Sequence, residues 1–205
     1  MGFCFQHTYR GKSRILVMWN PAYFDLQIIL SGDQLIHVAA VCKLWMNSPF
    51  FISFVYAYNM KNQRAVLWDQ LRGLHDQCKG PWMALGDYNC ILNIEDRSTS
   101  AKGKWKEAKP LQKLLLDVGL YDFKFVGEFF TWNNKRKGGE RIYSKIDRVL
   151  VNAEWEDTFQ EAQALFLPPN ISDHSPAVVV LKEKRQKKIP FKFLMDGPSG
   201  FSLSS

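Results

Sequence analysis

Short apolar runs separated by Gly, Pro, Asn and Asp clusters dominate the chain, a pattern that predicts strands joined by tight turns. Arg14 to Trp19 (RILVMW), Phe24 to Leu30 and Gln34 to Cys42 read as three short strands. With Asn20-Pro21 and Ser31-Gly32-Asp33 as their turns, they predict an antiparallel meander. Phe50 to Ala57 (FFISFVYA) is a further strand, dense in aromatic and β-branched residues. Asn62 is placed to cap a helix through about Gln77, with Val66, Leu67, Leu71 and Leu74 on one face. Gly80-Pro81 ends it, and the apolar run Pro81 to Leu85 predicts a buried strand that stops at Gly86-Asp87-Tyr88-Asn89. Glu107 to Val118 is a second helix, with Pro110 in its first turn and Gly119 just past its end. Tyr121 to Phe125, Phe129 to Asn133 and Arg141 to Val151 read as strands, the last two joined by a basic hairpin containing Gly138-Gly139. Ala153 to Phe159 is a short helix, Leu165 to Leu167 a short strand, and Ala177 to Leu181 a closing strand. Strands outnumber helices, so the fold class is α/β with mixed or antiparallel sheets rather than a doubly wound parallel one.

Composition narrows the class. A chain of 205 residues, 46% apolar and 14% aromatic, suits one domain with a substantial core and excludes general disorder. No apolar run approaches the roughly 20 residues that span a bilayer. The first residues lack the basic start and apolar core of a signal peptide, and Gln6 breaks the myristoylation pattern begun by Gly2. Cys4, Cys42, Cys78 and Cys90 are scattered without a C-x-x-C pair and read as reduced intracellular thiols.

The formal charge of +7 is unevenly spread. Six Lys or Arg stand against Glu183 and Asp196 from Lys182 onward, which predicts a folded domain over 1–182 and a basic, unordered tail over 183–205. Within the body, Arg97 to Lys109 holds five basic residues and one Glu, and Asn133 to Arg148 holds six against Glu140 and Asp147. As exposed loops these segments would attract a polyanion.

Four stretches carry candidate chemistry. Gly86-Asp87-Tyr88-Asn89 delivers a carboxylate and a carboxamide to the end of a strand, although Asp and Asn also favour plain Asx-turns. Thr131-Trp132-Asn133 ends another strand. Ser144-Lys145-Ile146-Asp147-Arg148 sets a carboxylate within an apolar strand, where it could equally lie on a polar face. Ser172-Asp173-His174-Ser175-Pro176 puts an Asp-His pair before the last strand, as a turn cap with a structural histidine would; His7, His37 and His75 are read as structural. Phosphodiester hydrolysis needs a cation beside the phosphate, a base for water, and donors for developing negative charge. Asp87, Asp147, Asp173, Asn89, His174 and Tyr56 supply those chemical types.

In order and approximate spacing, Val55-Tyr56-Ala57-Tyr58-Asn59, Gly86-Asp87-Tyr88-Asn89, Thr131-Trp132, Ser144-Lys145-Ile146-Asp147 and Ser172-Asp173-His174 resemble the endonuclease/exonuclease/phosphatase superfamily. PWMALGDYNCILN, FFTWNN and SKIDRVLVNAEW resemble more closely the endonuclease domain of plant LINE-type (non-LTR) retrotransposons. The resemblance runs from about Ser13 to Leu181. It implies a four-layer α/β/β/α sandwich of the deoxyribonuclease I-like type and a Mg²⁺- or Mn²⁺-dependent cut of DNA. It implies that Asp87 orients or deprotonates water, and that Asn89 and Tyr56 contact the scissile phosphate. His174 would pair with Asp147 and bind the same phosphate, and Asp173 would lie in the metal's shell. Asn59, Arg64, Thr131, Trp132 and Arg148 are the expected substrate contacts.

Family members begin with a strand ending in Asn, a helix, and a strand delivering a metal-binding Glu. Nothing before Arg14 supplies these, so the resemblance implies an N-terminally truncated copy with an impaired metal site, an open sheet edge and an uncovered apolar face. Glu95 belongs to a different element and does not fill the vacancy. Three functions stay open: a weakened endonuclease, a non-catalytic nucleic-acid-binding remnant, and a phosphatase of the same superfamily. The expected location is intracellular, in the nucleus, with DNA as partner and neither a membrane nor a small-molecule cofactor involved.

Overall fold

The computed structural model describes residues 14–44, 48–77, 79–99 and 105–181, with the backbone of Gly2–Phe5. The basic tail and part of the Arg97–Lys109 segment lie outside the described residues. Among the described residues, thirteen strands and three α-helices follow in the order β1 (Gly2–Phe5), β2 (Leu16–Trp19), β3 (Phe24–Gly32), β4 (Leu35–Cys42), β5 (Phe50–Tyr56), α1 (Lys61–Gln77), β6 (Trp82–Asp87), α2 (Trp105–Val118), β7 (Tyr121–Asp122), β8 (Phe125–Gly127), β9 (Trp132–Asn133), β10 (Tyr143–Ser144), β11 (Asp147–Val151), α3 (Ala153–Thr158), β12 (Gln163–Phe166) and β13 (Ala177–Val180).

A six-stranded mixed sheet, ordered β3-β4-β5-β6-β11-β7, forms the centre. One face is covered by α1 and α2, whose Leu67, Trp68, Leu71, Leu74, Leu111, Leu114 and Val118 bury against Val55, Ala84 and Leu150. The opposite face meets a three-stranded sheet, β13-β12-β8, so that Phe50, Met83, Val149 and Val151 pack with Ala164 and Phe166, and with Trp155 and Phe159 from the α3 region. Each such large side chain contributes roughly 1.5–3 kcal/mol by leaving water. The expected helix, sheet, sheet layering is therefore present. Among the described residues no helix covers the outer face of the small sheet, where Val126, Val178 and Val180 are exposed.

Several boundaries differ from the sequence expectation. The first predicted strand does not join the meander: β2 pairs antiparallel with β1 and packs across the large sheet through Val17 onto Ile36 and Val38. The turn at Asn20 redirects the chain, since Asn20 O accepts from the Tyr23 and Phe24 N–H groups and Asn20 Oδ1 from that of Ala22. The meander is β3-β4-β5 instead. Helix α1 starts at Lys61, so Asn62 sits in its first turn rather than at its cap. Helix α2 starts at Trp105, which leaves Pro110 inside it at the cost of one backbone bond. Gly119, at φ +66, ends α2 as expected, and Leu120 N–H reaches back to Leu115 O at 3.1 Å.

The predicted strand Arg141 to Val151 is broken at Lys145-Ile146, so Asp147 opens β11 rather than lying within it. Tyr121 to Phe125 likewise divides, β7 in the large sheet and β8 in the small one. His37, read as structural, is buried: its Nδ1 and the Ser53 hydroxyl share a hydrogen bond at 2.7 Å, and that hydroxyl accepts from Trp82 Nε1 at 3.0 Å. Burial lowers the His37 pKa to about 4 and keeps it neutral. Cys42 and Cys90 are buried free thiols.

Candidate active site

Three adjacent strands set the frame. In the parallel β5–β6 pair Tyr56 lies opposite Asp87, and in the antiparallel β6–β11 pair Asp87 lies opposite Asp147. Register alone thus brings together three side chains spread over 92 positions of sequence. Gly86 does not turn the chain, as its position after an apolar run suggests, but continues β6. Its φ is +134, and a Cβ there would lie 2.0 Å from Val55 O. Only glycine allows β5 and β6 to approach so closely one residue before Asp87.

Asn89, at φ +49, folds back on that carboxylate. Its N–H donates to Asp87 Oδ1 and its Nδ2 to Asp87 Oδ2, each at 2.8 Å, while Nδ2 also reaches Ala57 O at 2.9 Å. Thr131, fully buried, uses one hydroxyl oxygen to accept from the backbone N–H groups of Ile146 (3.1 Å) and Asp147 (2.9 Å). Its carbonyl accepts from Ser175 N, and Trp132 bridges to His174, so this segment ties β11 to the loop before β13. His174 Nδ1–H then donates to Asp147 Oδ2 at 2.9 Å.

Donor atoms of Asp87, Asp147 and His174 all lie within 4.8 Å of one another. Asp173 stands outside that group; its Oδ2 accepts from Trp132 Nε1 at 3.0 Å. Glu95 is exposed in the Ile94–Asp96 turn and is likewise not a member. The electrostatics follow from this arrangement. Burial, and secondarily the Asp147 charge, pushes Asp87 up to about 7, against the opposing Asn89 N–H and the charges of His174 and Arg14. The hydrogen bond to Asp147 raises the His174 pKa despite partial burial. Asp173 is desolvated somewhat, yet its own backbone N–H and Trp132 hold its carboxyl below the usual value.

The expected substrate contacts divide. Tyr56, Asn59 and Trp132 keep exposed or half-exposed surface near the group. Arg64 and Arg148 do not: each is 1% exposed and turned inward. Arg64 Nη1 donates to the carbonyls of Tyr58, Asn59 and Asn89 at 2.8–3.2 Å, clamping the loops after β5 and β6 together. Arg148 is paired with Asp96 and with Asp122 (2.6 Å), and Lys145 joins Asp122 at 3.2 Å. Two of the six basic residues in 133–148 are therefore internal counter-ions, whereas Lys135, Arg136, Lys137 and Arg141 are exposed. Asp96 and Asp122, the partners, escaped sequence reasoning because nothing local distinguishes them. A cleft lined by Phe130, Thr131, Trp132, Tyr143 and Ser175 opens beside this group.

Residues 2–174 match the model of the Endonuclease/Exonuclease/phosphatase family, and the chain belongs to that family. No curated protein sequence matches it. Among solved structures it is similar to the endonuclease domain of TRAS1, a telomere-specific non-LTR retrotransposon, at 14% identity and a TM-score of 0.65, over 90% of this chain and 81% of that one. It is also similar to the 3′ phosphatase NExo from Neisseria, bound to a product DNA hairpin, at 19% identity and a TM-score of 0.53, over 78% and 70% of the two chains. These likenesses establish the fold.

Proposed function

We propose that the chain is a divalent-metal-dependent phosphodiester hydrolase domain of the endonuclease type, derived from a LINE-type retrotransposon of the plant kind and acting on DNA. One observation carries the reading: Asp87, Asp147 and His174 converge at the mouths of strands that are far apart in sequence. The two facing carboxylates fit a hard cation such as Mg²⁺ or Mn²⁺, whose charge would offset the burial and the Asp147 repulsion that raise Asp87. Asp87 and Asp147 would hold the ion, with Asp173 in its outer shell. When bound, the ion polarises a phosphoryl oxygen and offsets developing charge.

The chain's own residues supply the rest. Asp87, with both oxygens held by Asn89, would orient the attacking water and take its proton. Asn89 fixes both oxygens of that base, and would contact the scissile phosphate. His174, whose protonated form the Asp147 hydrogen bond favours, would offer Nε2–H to a phosphate oxygen, and the Tyr56 hydroxyl is a further donor. Asn59 and Trp132 would contact substrate, whereas Thr131 and Arg64 act through the backbone they hold and Arg148 through its pairing with Asp96 and Asp122. Exposed Lys135, Arg136, Lys137 and Arg141 draw the polyanion in.

Among the described residues no glutamate joins the group, so cleavage is expected to be slow. The test is nicking of supercoiled plasmid in Mg²⁺, in Mn²⁺ and in EDTA. Slow nicking that needs metal and disappears in Asp87→Ala and His174→Ala supports the proposal. Nicking that survives EDTA or both substitutions overturns it, and fast nicking overturns the impairment. Salt-sensitive DNA binding without nicking in either metal assigns the non-catalytic nucleic-acid-binding reading instead.

A further inference from the structure

Arg14 belongs to none of the motifs that relate the chain to its family, yet it reaches the rim of the carboxylate group from the segment before β2. Its guanidinium carbon lies 4.2 Å from the ring centroid of Tyr56 and 4.2 Å from that of Tyr58. Nη1 donates to Asp33 O at 3.2 Å and Nη2 to Ala57 O at 3.3 Å. The second acceptor matters most. Ala57 O also receives Asn89 Nδ2 at 2.9 Å, so the guanidinium and the carboxamide that holds Asp87 meet on a single oxygen. Tyr56, one of the two flanking rings, is 40% exposed and lies opposite Asp87 in the β5–β6 register.

Two rings and two carbonyls thus fix a permanent positive charge, half-buried, beside the acidic pair. An arginine held this way has already lost most of its rotamer freedom. Its field is felt at Asp87, where it opposes protonation. A positive charge beside two carboxylates, in a site read above as binding a phosphodiester, has an evident use. It offsets the carboxylates' repulsion of an incoming phosphate, and it does so whether or not a metal is present.

We propose that Arg14 is a substrate-binding residue of this site, setting a fixed cation against a phosphodiester oxygen that neighbours the Asp87–Asp147 pair. The inference rests on the phosphodiester reading given above. The competing role is structural: Arg14 would merely staple its own segment to the loop after β5.

Salt dependence separates the two. Binding of a short fluorescent DNA duplex is measured by anisotropy in EDTA over a range of salt, for the wild type, Arg14→Lys and Arg14→Gln. A phosphate contact predicts that Arg14→Gln weakens binding by about three- to tenfold at low salt and lowers the slope of log K against log salt by about one. Arg14→Lys should keep the slope while losing part of the affinity, because an ammonium retains the charge but not the planar fork. Weaker binding at an unchanged slope, or no change at all, overturns the proposal. Should Arg14→Gln fail to fold, the wild type still decides. The Arg14 guanidinium resonance, assigned by its absence from the Arg14→Lys spectrum, should shift saturably on DNA addition, and an unmoved resonance overturns the assignment. A wild type that shows no salt-dependent DNA binding defeats the phosphodiester reading itself, and Arg14's role with it.

Discussion

Thr131→Val is the substitution that most directly tests how the site is held. The side chains are nearly equal in shape, so the change removes an oxygen while leaving little space behind. That oxygen accepts two backbone donors, Ile146 N–H at 3.1 Å and Asp147 N–H at 2.9 Å, from a residue with no exposed surface. An orphaned buried donor costs about 1–3 kcal/mol. The Ile146 group is buried and incurs the full cost, whereas the Asp147 group sits nearer the mouth and recovers part of it by hydration. The sum is a loss of about 2–4 kcal/mol, or a fall in Tm on the order of 4–16 °C for a chain of this size. Urea unfolding of the wild type, Thr131→Val and Thr131→Ser checks it, because Thr131→Ser keeps the oxygen and loses only a methyl group. Since β11 begins at Asp147, the same substitution should also loosen the Asp147–His174 hydrogen bond and bring the His174 pKa down toward its ordinary value, readable by NMR titration. A Thr131→Val protein within about 0.5 kcal/mol of wild type would refute the reasoning, as two unpaired interior donors cannot be that cheap.

Three further outcomes follow from the same geometry. Arg148→Ala leaves buried Asp96 without its guanidinium partner and half-buried Asp122 with Lys145 alone, and should lower stability by about 3–5 kcal/mol in chemical denaturation. Arg148→Met, which restores bulk but not charge, should recover little while both acids remain. Gly86→Ala must displace Val55 O from a 2.0 Å contact and adopt φ +134. Circular dichroism should show a loss of at least about 3 kcal/mol, and near-wild-type unfolding would mean that β5 and β6 are not so close.

The pH dependence turns on Asp87. Its pKa of about 7 when folded exceeds the 3.8 of the free group, so the folded chain retains a proton that the unfolded chain releases. The Asp87 contribution to metal-free stability should therefore fall as pH rises from about 4 to about 7, while His37, with its lowered pKa, works the other way in the total; the wild type minus Asp87→Asn difference isolates the Asp87 slope. A difference between wild type and Asp87→Asn that stays constant across this range in EDTA would contradict it.

Much of the scaffold was legible in the sequence because short-range patterning specifies it. The apolar run before Gly86, the heptad-like spacing of Leu67, Leu71 and Leu74, and the glycine after Val118 each predict an element, and each element is found. The residue types at Asp87, Asn89, Asp147 and His174 were visible too, since five short motifs in order carry the family resemblance. What adjacency along the chain cannot supply is register and burial. Which strand faces β6 determines that Asp87 meets Asp147. The inward turn of Arg64 and Arg148, exposed cations on any composition argument, depends on acids and carbonyls contributed by distant loops. Thr131 reads as an ordinary strand residue until its hydroxyl is seen under two N–H groups of β11's entrance. Arg14 is invisible as part of the site until Tyr56 and Tyr58 close around it. The sequence by itself determined which chemical groups were available, because side-chain identity and local periodicity are properties of neighbours in the chain. Only the tertiary structure decided which of them share a mouth and which charges lie inside, because proximity across strands and the cost of desolvation arise only once the sheets have packed.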